Sequence, residues 1–134
     1  MSPTSPALQR LLGRDGVQAL HGEQIDAFAA RGTRVLFFTG DPRRHPEIDD
    51  VATVLPELMR AFDGRFGVGL VDPDTDREAM MRWDAGMRPT LVFVRDGVRL
   101  GAIPRMRDWA AYLAEVAALL GGGAASTGAA EPLR

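Results

Sequence analysis

The sequence predicts an α/β domain in which helices flank a central mixed sheet. Residues 34–39 and 66–71 form continuous apolar runs rich in β-branched or aromatic side chains, which is typical of strands covered on both faces. Helical patterns lie between these runs, and such βαβ units place their strands in parallel. Asp96-Gly97 joins two later strand patterns and predicts a C-terminal antiparallel hairpin that completes the sheet.

The first third of the chain predicts two short helices and one short strand. Ser5 and Pro6 open a helix over about residues 5–12, because serine caps a helix and proline in the first turn loses no needed donor. Residues 17–20 predict a short edge strand, and residues 23–30 predict a second helix. The inward-facing positions of the two helices are expected to be Leu8, Leu11, Leu12, Ile25, Phe28 and Ala29.

The buried strand at residues 34–39 is followed by a loop and the longest helix. Two prolines and a glycine within residues 40–46 disfavour regular structure, which predicts the loop. The helix is expected to begin at Asp49 or Asp50. Its buried face has the spacing of a single helical stripe: Val51, Val54, Leu55, Leu58 and Phe62.

A turn and a short helix follow the second buried strand. Residues 72–74, Asp-Pro-Asp, predict the turn. Thr75 with Glu78 three residues later forms a capping-box pattern, which predicts the start of the helix. The inward-facing residues of this helix are expected to be Met80 and Trp83.

The last elements are the hairpin and a C-terminal helix. The hairpin strands are expected at residues 90–95 and 98–103, and the helix at about residues 106–120. The buried residues of this helix are expected to be Trp109, Leu113, Val116 and Leu120. The sequence predicts one domain over residues 1–120 and a disordered tail over residues 121–134, which are rich in glycine and alanine.

The composition excludes several classes of chemistry. The 134 residues include no cysteine, and all 16 basic residues are arginine, so thiolates, disulfides, Schiff bases and Walker-type phosphate loops are excluded. Serine occurs only at Ser2, Ser5 and Ser126, and the two histidines, His21 and His45, are far apart in sequence. We therefore predict a binding protein with no catalytic residues, no cofactor and no metal site.

The charge and hydropathy patterns point away from nucleic acid and membranes. A net charge of −2 provides no general attraction to nucleic acid or to an anionic membrane. No run approaches the roughly 20 apolar residues of a membrane span. The polar start of the chain lacks the apolar core of a signal peptide, so we expect a cytoplasmic protein without membrane insertion.

An aromatic strand, a loop, a long helix containing Pro56 and a strand led by Arg88-Pro89 follow one another in the chain. This succession resembles thioredoxin over residues 17–120, about three quarters of the chain. In thioredoxins the loop carries Cys-x-x-Cys, and Pro89 stands at the position of the family's cis-proline. The resemblance implies a thioredoxin-like fold with a cis Arg88–Pro89 bond. The missing cysteines exclude thioredoxin's redox chemistry.

A narrower match covers residues 37–47, Phe-Phe-Thr-Gly-Asp-Pro-Arg-Arg-His-Pro-Glu. This segment resembles the strand–Ser/Thr-x-Asp-Pro-x-Arg-x-Pro-Glu segment of the HyaE/HupG/HoxO family, cysteine-free thioredoxin-like proteins encoded with uptake [NiFe]-hydrogenases. The resemblance implies a cytoplasmic maturation chaperone that binds the hydrogenase small-subunit precursor and its twin-arginine signal peptide before export. Other hydrogenase accessory proteins are further candidate partners. The family has no agreed catalytic residues, so none carry over.

Two acidic loops are expected at one edge of the sheet. Residues 41–50 and 72–78 contain eight acidic and three basic residues, and both segments follow strands predicted to be parallel neighbours. One interpretation is that the two loops form an acidic binding site for an arginine-containing peptide. The other is that the acids cap helices and complement their dipoles. The candidate partner-binding residues are Asp41, Arg43, His45, Glu47, Asp72, Asp74, Arg88 and Pro89.

Two alternative functions follow from the same sequence. One is a generic redox-inactive thioredoxin-like interaction module with an unrelated partner. The other is an enzyme on this fold that uses carboxylates or His45. A positioned nucleophile, base or metal cluster would favour the enzyme. Co-purification of an unexported hydrogenase small subunit would favour the chaperone.

Overall fold

In the computed structural model, which describes residues 5–71 and 76–121, five strands form one mixed sheet. The strands are β1 (Val17–Leu20), β2 (Thr33–Phe38), β3 (Gly67–Val71), β4 (Thr90–Arg95) and β5 (Val98–Pro104). Their order across the sheet is β1-β3-β2-β4-β5, with β1, β3 and β2 parallel and the β2–β4 and β4–β5 pairs antiparallel. The predicted α/β class, edge strand and hairpin are confirmed.

The described residues also form five helices, which flank the sheet. They are α1 (Pro6–Leu12), α2 (Glu23–Ala29), α3 (Glu47–Ala61), α4 (Asp76–Arg82) and α5 (Trp109–Leu119). Helix α1 begins as predicted, and the Leu8 N–H donates to Ser5 Oγ at 3.3 Å. No helix in the described part of the chain is long and apolar enough to cross a membrane.

Two predicted helix starts are wrong. Helix α3 begins at Glu47 rather than at Asp49 or Asp50, because Pro46 already has a helical backbone with φ −60°. Helix α5 begins at Trp109 rather than at residue 106, because the Asp108 carboxylate accepts the Ala111 N–H at 2.8 Å and caps the helix there.

The helices cover both faces of the sheet and create two apolar layers. Helices α1, α3 and α5 pack on one face, which includes Phe37 and Phe93, while α2 and α4 pack on the other, which includes Leu36 and Phe38. Continuous apolarity in β2 and β4 thus reflects burial on both sides. Most predicted core positions are confirmed, including those with the lowest exposure: Leu8, Leu11, Ile25, Ala29, Val51, Leu55, Leu58, Val116 and Leu120.

Two predicted core residues lie at the surface instead. Leu12 is 37% exposed, and Trp109, the first residue of α5, is 44% exposed. The inward-facing aromatic residue of α5 is Tyr112, which is fully buried. Tyr112, Val116 and Leu120 follow a spacing of four residues, so they form the buried stripe.

The strand register places several chain segments at one edge of the sheet. Val71 pairs with Leu20 and with Phe38, and Phe38 also pairs with Thr90, which in turn pairs with Pro104. We call this row the C-terminal edge, because the three parallel strands end there. The predicted turn at residues 72–74 and its acids Asp72 and Asp74 lie outside the described residues, as does the predicted tail beyond Gly121.

Candidate functional site

The loop after β2 and the turn before β4 meet at the C-terminal edge. We call residues 40–46 the edge loop. A β-carbon at Gly40, whose φ is +92°, would lie 2.8 Å from Arg88 Cδ and 3.5 Å from His45 Cδ2. The Arg88 side chain therefore approaches the loop backbone closely, and glycine both permits this approach and tolerates the left-handed backbone. The Arg88–Pro89 peptide bond is cis, as predicted.

Asp41 organises the edge loop. Its Oδ1 accepts the Arg43 N–H at 2.9 Å and Arg43 Nε at 3.2 Å, while its Oδ2 accepts Arg43 Nη2 at 3.1 Å. Its carbonyl oxygen accepts the N–H groups of Arg44 and His45, each at 3.0 Å. The hydrogen bonds from the Arg43 side chain and backbone lower the pKa of the Asp41 carboxyl. Asp41 is thus ionised and already paired with an arginine of its own loop.

Replacing Arg43 with glutamine should raise the Asp41 pKa toward its ordinary value of 3.8, because the guanidinium that lowers it is removed. NMR titration of the Asp41 carboxyl carbon measures this change. A lowered carboxyl pKa contributes stability that is present above the ordinary pKa and is lost as pH falls through the lowered one. Because the Arg43 side chain is exposed and solvent screens the pair, we expect only a small change in thermal stability.

Arg44→Gln is the matched control, because it removes an equal charge from the next residue without touching the Asp41 hydrogen bonds of the Arg43 side chain. Arg44 lowers the Asp41 pKa only through its charge, the weakest of the causes, so the Asp41 pKa should rise much less in this variant than in Arg43→Gln. An identical titration in Arg43→Gln and wild type would contradict the pairing.

Glu47 lies at the same edge but contacts a different arginine. It is the first residue of α3, and its Oε1 lies 3.5 Å from Arg105 Nη2. The Arg105 N–H donates to the Pro89 carbonyl oxygen at 2.8 Å. Arg105 therefore joins the start of α3 to the turn before β4. Its place at this edge was not predicted, because Arg105 lies in a segment of the sequence with no distinctive motif.

The other acids at the start of α3 have structural roles. Glu47, Asp49 and Asp50 all lie in its first turn, where negative charge complements the helix dipole. Asp49 Oδ1 also accepts the Ser5 hydroxyl at 2.6 Å and thereby ties α1 to α3. The position of Asp49 and Asp50 in the first turn supports only the helix-dipole part of the capping interpretation, because no side-chain hydrogen bond caps α3. Asp41 and Glu47 each pair with an arginine instead.

A second polar feature lies between α2 and α4. A pocket of about 190 Å³ is lined by residues of both helices. Arg82 of α4 joins them by contacting Asp26 Oδ2 of α2 at 2.9 Å, and it also contacts Glu78 Oε1 of its own helix at 2.8 Å. Trp83 Nε1 donates to Asp26 Oδ1 at 3.3 Å. These side chains hold the two helices together. Within residues 5–71 and 76–121, no group of three His, Cys, Asp or Glu side chains is placed to hold a metal ion.

Comparison with known proteins decides the family. The family model described as "Hydrogenase-1 expression protein HyaE" matches residues 7–112, which is more than half of the chain and includes the edge loop and Arg105. The chain belongs to the HyaE family. The family resemblance predicted from residues 37–47 is therefore confirmed, and membership supports a role in hydrogenase maturation.

The chain is similar to several proteins named hydrogenase expression/formation proteins. Hydrogenase expression/formation protein HoxO of Cupriavidus necator is 40% identical over 114 residues, which cover 83% of this chain and 71% of the relative. Hydrogenase expression/formation protein HupG of Rhizobium leguminosarum bv. viciae is 42% identical over 101 residues, which cover 72% of this chain and 68% of the relative.

Solved structures confirm the fold. The crystal structure of the hydrogenase expression/formation protein HupG from Rhodopseudomonas palustris has a TM-score of 0.53 and 37% sequence identity, covering 76% of this chain and 93% of that chain. A point mutant of thioredoxin from Halobacterium salinarum has a TM-score of 0.64 with 17% identity, covering 78% of this chain and 91% of that chain. The second similarity shows the thioredoxin-like fold alone.

Proposed function

We propose that this protein is a non-catalytic chaperone that binds the small-subunit precursor of a [NiFe]-hydrogenase, including its twin-arginine signal peptide, in the cytoplasm before export. The observation that carries the proposal is membership in the HyaE family, whose relatives are named hydrogenase expression/formation proteins. Other hydrogenase accessory proteins are secondary candidate partners. The proposed contact residues are Asp41, Arg43, His45, Glu47, Asp72, Asp74, Arg88 and Pro89.

The geometry of Asp41 supports recognition of an arginine-containing segment. Arg43 contacts both carboxylate oxygens of Asp41 through Nε and Nη2, the bidentate arrangement in which a carboxylate receives a guanidinium. The Arg43 side chain is 85% exposed, so solvent screens its pair with Asp41 and the pair contributes little to stability. A signal-peptide arginine can therefore replace Arg43 at little cost, and the loop already presents the carboxylate in the required geometry.

Co-purification from the native host tests the proposal. Tagged protein should recover the unexported small-subunit precursor, and a precursor with its signal peptide removed should be recovered less well. Equal recovery of both forms would contradict recognition of the signal peptide. Recovery of partners unrelated to hydrogenase, without the precursor, would contradict the chaperone and favour a generic interaction module.

A further inference from the structure

Arg105 has a backbone conformation that favours glycine. Its φ is +65°, in the left-handed region, where a side chain with a β-carbon carries a conformational cost that glycine does not. Pro104, the last residue of β5, pairs with Thr90, so Arg105 leaves the sheet at the C-terminal edge. Unfavourable backbone conformations cluster at functional sites, so this conformation indicates a role for the Arg105 side chain.

The backbone contacts of Arg105 do not require arginine. Its N–H donates to the Pro89 carbonyl oxygen at 2.8 Å, and its own carbonyl oxygen accepts the hydroxyl of the buried Tyr112 at 3.3 Å. Both contacts use only main-chain atoms of residue 105. Glycine would make the same two hydrogen bonds at a lower conformational cost.

The guanidinium of Arg105 forms one ion pair within the described part of the chain and is otherwise exposed to solvent. Its Nη2 lies 3.5 Å from Oε1 of Glu47, the one side chain in the described part of the protein with which it forms an ion pair. The Arg105 side chain is 61% exposed, whereas that of Glu47 is 25% exposed. A guanidinium has five N–H donors and suits bidentate binding of a carboxylate, so a single contact of 3.5 Å leaves most of this capacity available.

We infer that Arg105 binds a carboxylate side chain of the partner protein at the C-terminal edge, with Glu47 holding the guanidinium in place. This inference rests on the proposed function and adds a cationic contact to the carboxylate contact at Asp41. The edge thus carries charges of both signs, which restricts the register in which a partner segment can bind.

Arg105→Gly tests the inference in the full-length protein. The substitution keeps both main-chain hydrogen bonds, relieves the left-handed strain and removes the guanidinium. We expect affinity for the purified small-subunit precursor to fall about fivefold, which is typical of one charge pair at a partly exposed interface. The thermal midpoint should stay close to that of the wild type. Arg105→Asn, which also tolerates the left-handed region, should give the same loss.

Arg107→Gln is the matched control. Arg107 lies two residues away, and its Nε is 3.5 Å from Glu115 Oε2 on α5. Removing this equal charge should change affinity for the precursor by less than about twofold, because the Arg107 side chain already pairs with Glu115 on α5. Arg105→Lys should recover part of the affinity, because it restores the charge but not the bidentate geometry.

Salt dependence distinguishes a partner contact from a structural role. The affinity of the wild type should fall as salt increases, and that of Arg105→Gly should fall less steeply. Normal binding by Arg105→Gly, with an unchanged salt dependence, would overturn the inference and leave the proposed function standing. A wild-type protein that fails to bind the precursor would overturn both.

Discussion

Tyr112→Ala should remove about 3–5 kcal/mol from the free energy of unfolding, which is typical of truncating a buried aromatic side chain. Tyr112 is fully buried in the layer formed by α1, α3 and α5, where it packs with Val116 and Leu120. The truncation leaves a cavity and also removes the donor to the Arg105 carbonyl oxygen. Chemical denaturation monitored by circular dichroism measures the loss.

Trp109→Ala is the matched control, because it also truncates an aromatic residue of α5. Trp109 is 44% exposed, so the loss should be below about 1 kcal/mol. Similar losses in the two variants would contradict the inward orientation of Tyr112.

Tyr112→Phe tests the contribution of the hydroxyl group to stability separately from that of the ring. It keeps the packing but loses the hydrogen bond to Arg105, so the expected loss is about 1 kcal/mol.

Burial raises the Tyr112 pKa. A raised pKa contributes stability that is present below the ordinary value of 10.0 and is lost as pH rises through the folded-state value. The wild type should therefore lose more stability than Tyr112→Phe at alkaline pH.

A triple variant, Asp41→Arg, Asp72→Arg and Asp74→Arg, should lower affinity for the small-subunit precursor by at least about tenfold. A single exposed charge pair contributes little to binding because solvent screens it, so three reversals together are needed for a change of this size. Calorimetric titration at low salt measures the effect, which should shrink as salt increases. Thermal stability should change only modestly, because the Asp41 side chain bonds only to Arg43 within its own loop, while the bonds of its carbonyl oxygen to Arg44 and His45 do not depend on the side chain.

The control for the triple variant applies the same change in charge away from the C-terminal edge. Asp15 precedes β1, Glu57 lies well along α3, and Asp63 follows α3 before β3 begins, and all three residues are exposed. Reversing these three residues to arginine should leave most of the affinity intact. Equal losses in both triple variants would indicate an effect of net charge and contradict a partner site at this edge.

The sequence by itself determined the fold class, the order of the elements and the family. Continuous apolar runs identify β2, β3 and β4 because both faces of these strands are buried, and Asp96-Gly97 identifies the hairpin because the turn needs left-handed backbone at both residues. These signals come from residues that are neighbours in the sequence, so they can be recognised without the tertiary structure. The absence of cysteine likewise excludes dithiol exchange whatever the structure.

The candidate site was predicted only in part. The convergence of residues 40–46 with Arg88 and Pro89 was expected from the thioredoxin resemblance. It arises because β4 runs antiparallel to β2 and begins at the edge where β2 ends. That Asp41 is already paired with Arg43 did not follow, since the same residues also fit a carboxylate left open for a partner.

Only the tertiary structure decided the roles of Tyr112, Trp109 and Arg105. The helical spacing of α5 permits either aromatic residue to face inward, and the cap at Asp108 together with the sheet selects Tyr112. Arg105 gains its position from Pro89, Glu47 and Tyr112, the first two of which are distant in sequence. Contacts of this kind exist only once the sheet has brought its strand ends together, so no local pattern encodes them.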